Sequence, residues 1–112
     1  MSKRRQEDIL SDIEQAIKRI LFYMENLTIE EFYQDIRTQD AVTRNIEIIG
    51  EAAKMVDEET KELDSTIEWS LMAKTRDRLI HHYFGVNYDV IWAICKENLP
   101  EILEKIERIK NK

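Results

Sequence analysis

The segment Trp69 to Trp92, WSLMAKTRDRLIHHYFGVNYDVIW, places Arg76, His81 and Tyr83 within eight residues of one another. Histidine exchanges protons near neutral pH. Arginine offers a fork of donors matched to phosphate oxygens, and tyrosine can donate a hydrogen bond or stack on a base. Together they suit cleavage of a phosphodiester without a metal. The 2′-hydroxyl of RNA would be the nucleophile, His81 the general acid or base, and Arg76 the stabiliser of charge building on phosphorus. DNA lacks that hydroxyl, so this chemistry selects RNA. The competing reading is structural: an Arg, a His and a Tyr near a helix end can simply cap carbonyls and solvate a surface.

Helical geometry constrains how these groups could meet. At about 100° per residue, Arg76 and Tyr83 fall on nearly the same face of a continuous helix, but Arg76 and His81 lie about 140° apart. Three routes could bring them together: the helix loosens near His81 ahead of Gly85, the length of Arg76 closes the gap, or a second subunit completes the site. The third predicts a homodimer with a composite cleft. A metal site is not expected, because His81 and His82 are adjacent and diverge, no cysteine joins them, and no distant carboxylate is singled out as a ligand. No cofactor is expected either. Cys95 sits at helical spacing among Ile91, Ile94 and Asn98, which marks it as a small core residue.

The elements that must position this segment are helices. Two glycines and one proline in 112 residues leave little turn chemistry for strands. A first helix is expected from about Lys3 to Asn26, with Ile9, Ile13, Ile17, Ile20 and Met24 on one stripe. Thr28 and Glu31 have the form of a capping box that opens a short helix, Ile29 to Gln34. A second long helix is expected from about Asp40 to Val56. It carries the stripe Val42, Ile46, Ile49, Ala53, Val56 and beside it Ile48, Ala52 and Met55, so it offers two adjacent faces and could be central to the bundle or shared with a partner. Gly50 costs about 1 kcal/mol in a helix interior, which points equally to close backbone approach there or to a tolerated imperfection. DEETKELDS, from Asp57 to Ser65, reads as a solvated helix end and loop. Asp64, Ser65 or Thr66 then caps a third long helix from near Ile67, with Trp69, Met72, Leu79 and Ile80 buried and Gly85 closing it. Asn87 or Asp89 caps the last helix, Tyr88 to Ile109, with a kink or brief break at Pro100.

These elements fit a single domain over 1–112: an all-α, antiparallel four- to five-helix bundle, homodimeric. The longest apolar run, Val90 to Cys95, has six residues, far short of the ~18 a membrane span needs. The start, MSKRRQEDIL, lacks the apolar region of a secretory signal, and a lone cysteine forms no intrachain disulfide, so a reducing cytoplasm is the expected setting. The net charge of −6 argues against a protein that coats nucleic acid non-specifically. It still allows a local anion site, since Lys74 to His82 is net positive. The basic tail, Lys105, Arg108, Lys110 and Lys112, fits the negative end of a helix dipole.

The run Arg76-Asp77-Arg78-Leu79-Ile80-His81-His82-Tyr83-Phe84-Gly85 resembles the R-x4-H-x-Y signature of small HEPN-domain proteins, the toxin components of HEPN/MNT toxin-antitoxin pairs. Arg44-Asn45-Ile46-Glu47-Ile48-Ile49-Gly50-Glu51-Ala52-Ala53 resembles that family's other recurrent stretch, and Asn87 to Trp92 with Leu99-Pro100 resembles its closing helix. The resemblance implies a dimeric helical bundle and a metal-independent ribonuclease, in some members directed at tRNA, with Arg76 and His81 catalytic. It implies that Asp77 supports Arg76. It further implies that Tyr83 is the residue that a minimal nucleotidyltransferase antitoxin modifies with AMP, adding negative charge beside the site. His82 stands where many relatives have Gly. The rival within the same group is a non-catalytic nucleotide- or substrate-binding module supporting a nucleotidyltransferase partner. From another class comes a purely structural helical dimer.

Overall fold

The computed structural model describes residues 3–81 and 87–111, with the side chains of residues 3, 4 and 79–81 outside the described set. Every element is a helix: α1 (Lys3–Met24), α2 (Ile29–Gln34), α3 (Ile36–Lys54), α4 (Glu58–Lys61), α5 (Trp69–His81), α6 (Tyr88–Ala93) and α7 (Leu99–Lys110), with a π-helical turn over Ile94–Asn98 between the last two. Among the described residues there is no strand, and no helix is long and apolar enough to cross a membrane.

The long rods are α1, α3, α5 and the jointed α6–α7. α1 packs against α3 on one side and α7 on the other, and α3 in turn carries α5. Polar contacts fix the directions. Gln6, buried near the start of α1, donates from Nε2 to the Met55 carbonyl at 3.2 Å and accepts from the Asp57 amide at 3.0 Å, so it ties the start of α1 to the end of α3. Lys110 near the end of α7 reaches Glu14 at 2.6 Å and Ser11 at 2.9 Å. Both neighbours of α1 therefore run antiparallel to it.

The core follows the stripes read from the sequence. Ile9, Ile13, Ile17, Ile20 and Met24 of α1, Val42, Ile46, Ile49 and Ala53 of α3, and Ile91, Cys95, Leu99, Ile102, Ile106 and Ile109 of the last helix are all buried. Trp69 and Met72 of α5 join them, while Leu79 and Ile80 fall among the undescribed side chains. Burial pushes the Cys95 thiol up to about 12. A buried, protonated thiol is a packing group and no nucleophile.

Several boundaries differ from the sequence expectation. α1 ends at Met24, and Asn26 takes a left-handed φ of 63°, a conformation asparagine tolerates better than most residues. The capping box of Thr28 and Glu31 is present, with bonds of 2.9 and 3.1 Å. α3 starts at Ile36 rather than near Asp40, because Asp35 caps it by accepting from the Thr38 amide at 3.0 Å. The charged stretch after α3 contains a short helix, α4, capped by Asp57 accepting from the Thr60 amide at 2.8 Å. Asp64 does not cap α5. It folds back on Thr66 at 2.9 Å, and α5 begins at Trp69.

The brief break expected at Pro100 takes the form of a π-helical turn over Ile94–Asn98, just ahead of the proline. The Leu99 amide bonds to the Ile94 carbonyl five residues back, one residue more than in an α-helix. The wider turn accommodates a proline that cannot donate and whose ring would crowd the preceding turn. Asn87 caps α6 as expected, accepting from the amides of Asp89 and Val90 at 3.0 and 3.3 Å. The C-terminal cations are spent on ion pairs, Lys105 with Glu101, Arg108 with Glu104 and Lys110 with Glu14.

Candidate active site

α5 is α-helical without interruption from Trp69 through His81. Loosening before His81 is thereby removed as a way of converging the pair, and the Cα positions of Arg76 and His81 stand about 140° apart around the axis. The side chain of His81 lies outside the described residues, as do His82, Tyr83 and Gly85. Of the groups singled out in the sequence, the structure places Arg76 and Asp77.

Arg76 is positioned by α3. Gly50 is buried where α5 crosses, and a Cβ there would lie 2.1 Å from Arg76 Cβ, 2.8 Å from Arg76 Cγ and 2.9 Å from the Met72 carbonyl oxygen. Contacts between carbon atoms normally close no nearer than about 3.5 Å. The arginine stem thus occupies the notch that the missing side chain leaves, which answers the question raised by a glycine in mid-helix.

The guanidinium is held at both ends. Nη2 contacts Glu51 Oε2 at 2.9 Å, and Nη1 donates to Asp77 Oδ1 at 3.1 Å. Asp77 Oδ1 also accepts from Lys54 Nζ at 2.7 Å. The bond from Lys54, then that from Arg76, holds the Asp77 carboxyl below the usual aspartate value. Arg76 Nε is buried with no hydrogen-bond partner among the described residues, while the side chain as a whole remains 24% exposed. Asp77 is thus in direct contact with Arg76, and Lys54 shares the same Asp77 oxygen.

Arg76 forms one end of an open groove of about 400 Å³ between α1 and α3, lined also by Ile9, Asp12, Arg44, Glu47, Ile48, Glu51, Ala52 and Met55. Arg44 pairs with Glu47 across one turn at 3.6 Å. The groove therefore carries cations matched to carboxylates, an arrangement that can exchange an internal anion for an external one. Among the described residues no group of three His, Cys, Asp or Glu is placed to hold a metal ion.

Glu51 and Lys54 contact the candidate site residues and were not singled out from the sequence. Gly50 and Lys54 are four apart and share a helical face with the arginine notch, and Glu51 is next in the chain. The signal was there, but the cross-helix partner of that face was not known.

A family model described as HepT-like, ribonuclease HepT-like, matches residues 13–109. The chain is 40% identical over 109 residues to a protein of Methanocaldococcus jannaschii provisionally named an RNase, covering 97% of this chain and 90% of the relative. It is 43% identical over 108 residues to a protein of Thermococcus cleftensis provisionally named ribonuclease HepT, covering 96% of this chain and 98% of the relative. A protein of Caldanaerobacter subterraneus, also provisionally named an RNase, is 38% identical over 106 residues, covering 95% of this chain and 91% of the relative. Among solved structures, none matches the chain. The match spans α3, the Gly50 notch and the whole of α5, and the chain belongs to the HepT-like ribonuclease family.

Proposed function

We propose that this protein is a metal-independent endoribonuclease toxin that cleaves RNA, with tRNA as a candidate substrate, at a site built on Arg76 and His81. The observation that carries the reading is the mounting of Arg76. A guanidinium is set into a glycine notch at 24% exposure, with both Nη atoms already on carboxylate oxygens, the geometry a phosphodiester would use. Family membership and the names of the relatives support the same chemistry.

In that reaction the 2′-hydroxyl gives its proton to His81 as its oxygen attacks phosphorus. The bond to the 5′-oxygen breaks, and that oxygen takes up a proton. Arg76 stabilises the extra negative charge on the phosphoryl oxygens, and Asp77 keeps the guanidinium oriented. Since α5 separates the Arg76 and His81 positions by about 140°, a homodimer that sets two α5 helices about one cleft is the arrangement proposed to complete the site.

The working setting we propose is the cytoplasm, in a pair with a nucleotidyltransferase antitoxin that places AMP on Tyr83. Bulky negative charge beside Arg76 would repel an anionic substrate.

The test is cleavage of RNA by the purified, unmodified protein in EDTA. His81→Ala and Arg76→Ala should each abolish cleavage without altering helical circular dichroism. A His81→Ala protein that cuts at the original rate would refute the assignment. Mass spectrometry after co-expression with a neighbouring nucleotidyltransferase should localise added AMP to Tyr83, and an unmodified Tyr83 alongside neutralised toxicity would refute the proposed regulation.

A further inference from the structure

We propose that Glu51 sets the RNA affinity of this site by occupying, on Arg76 Nη2, the position that a phosphodiester oxygen takes when substrate binds. The inference rests on the reading of Arg76 as the phosphate-binding group. Three observations carry it.

The ligands of Arg76 are unequal. Asp77 is fixed, since it neighbours Arg76 on the same helix and is braced by Lys54 at 2.7 Å. Glu51 is 60% exposed and has Arg76 as its one ion-pair partner among the described residues, at 2.9 Å. Of the two carboxylates, Glu51 is the one that can leave.

The stem of Arg76 does not depend on Glu51. The notch at Gly50 confines Cβ and Cγ, so the guanidinium stays in place when Glu51 swings into solvent. Carboxylate and phosphate oxygens are equivalent ligands for a guanidinium edge, and the exchange needs no rearrangement of the helices.

The charges also favour a gate. Lys54, Arg76, Asp77 and Glu51 together are neutral, and the cluster becomes positive by one charge only when Glu51 is displaced. Glu51 and Arg76 line the same open groove as Ile48 and Arg44, so an incoming strand can reach the exposed side of the pair from solvent. Weak anions meet a neutral surface. A phosphate that can also engage the rest of the groove displaces the carboxylate.

The experiment compares wild type, Glu51→Gln, Glu51→Asp, Arg76→Ala and the Glu51→Gln/Arg76→Ala double variant at low salt. Bulk tRNA serves as probe in a binding titration and in steady-state cleavage. An exposed ion pair has to be broken on binding, so Glu51→Gln should bind tRNA about two- to fivefold more tightly, with the gain in KM rather than in kcat. Glu51→Asp, one methylene too short to hold the 2.9 Å contact, should fall between wild type and Glu51→Gln, and an affinity below wild type would overturn the proposal. On the Arg76→Ala background, Glu51→Gln should bring no gain.

A lowered kcat at unchanged KM would overturn the proposal, since Glu51 would then be positioning Arg76. An equal gain on the Arg76→Ala background would overturn it too, by showing a bulk charge effect. So would no change at all. Failure of the ribonuclease reading looks different: no cleavage by wild type, while the binding cycle between Glu51 and Arg76 still gives its own answer.

Discussion

Gly50→Ala is the sharpest test of how Arg76 is held. The new methyl group would stand 2.1 Å from Arg76 Cβ and 2.9 Å from the Met72 carbonyl oxygen. Ordinary contact is about 3.5 Å, so α3 and α5 must part by about 1.5 Å. The atom in the way is a Cβ, which cannot move by rotating a side chain, so the overpacking cost belongs near the upper end of the usual range, about 3 kcal/mol. Alanine returns about 1 kcal/mol of helix propensity. The net loss is about 2 kcal/mol, read as a lowered urea midpoint at unchanged m-value or a fall in Tm of about 8 °C for a domain this size. Displacing the guanidinium by about 1 Å should also cut RNA cleavage about 100-fold when measured where both proteins are fully folded. If Gly50→Ala were instead more stable by about 1 kcal/mol and fully active, propensity alone would be at work, and the close crossing at Arg76 would be refuted.

Three other outcomes follow from the same packing. Ile106→Ala removes a fully buried side chain of α7 and should cost about 3 kcal/mol by urea denaturation. With its thiol buried and pushed up to about 12, Cys95 should resist iodoacetamide at pH 8 in the native protein and react at once in denaturant; rapid native-state labelling would contradict its place in the core. Acid should destabilise the fold through carboxyls whose folded values are depressed: Glu14 by Lys110, Asp35 by Thr38, Asp57 by Thr60, Asp64 by Thr66 and Asp77 by Lys54. Each binds its proton more readily when unfolded, so its stabilisation is complete above the ordinary values of 3.8 and 4.5 and is lost as pH falls through the lower folded ones. Urea midpoints should hold from pH 7 to about 5 and drop below about 4, and a flat profile would show those bonds to be inconsequential.

Much of the bundle was legible because burial obeys helical periodicity. The α1 stripe and the Ile91 to Ile109 stripe are the core residues that a spacing of three and four selects, and the Thr28 capping box announced α2 correctly. What escaped were features set by which carboxyl finds which amide. Asp35, Asp57 and Asp64 each could begin a helix, and only the folded chain shows that the first two do while Asp64 turns back on Thr66. The Pro100 joint was located but its form was not, since a wide turn and a kink answer the same missing donor. At the candidate site, Arg76 and Asp77 stand out in the sequence and Gly50 admits two readings, whereas the contacts of Glu51 and Lys54 emerge only through the packing of α5 on α3. The positive run from Lys74 was correctly seen along the chain. Of the two acids that answer its arginine, Asp77 lies in the same run and Glu51 comes from another helix.

The pairing of α1 with α7 has a consequence for how the molecule is made. Lys110 reaches back to Ser11 across 99 positions, and Lys96 donates to the Met24 carbonyl across 72. One flank of α1 is covered by the π-helical turn and α7, whose contacts lie 72 to 99 positions further along the chain. A nascent chain would leave the ribosome with that greasy flank bare until α7 emerged, and closure would be a late event involving contacts of long sequence separation. Translation stalled just before Leu99 should therefore yield a chain that chaperones hold, and emergence of the twelve residues of α7 should be the moment at which proteases lose their grip.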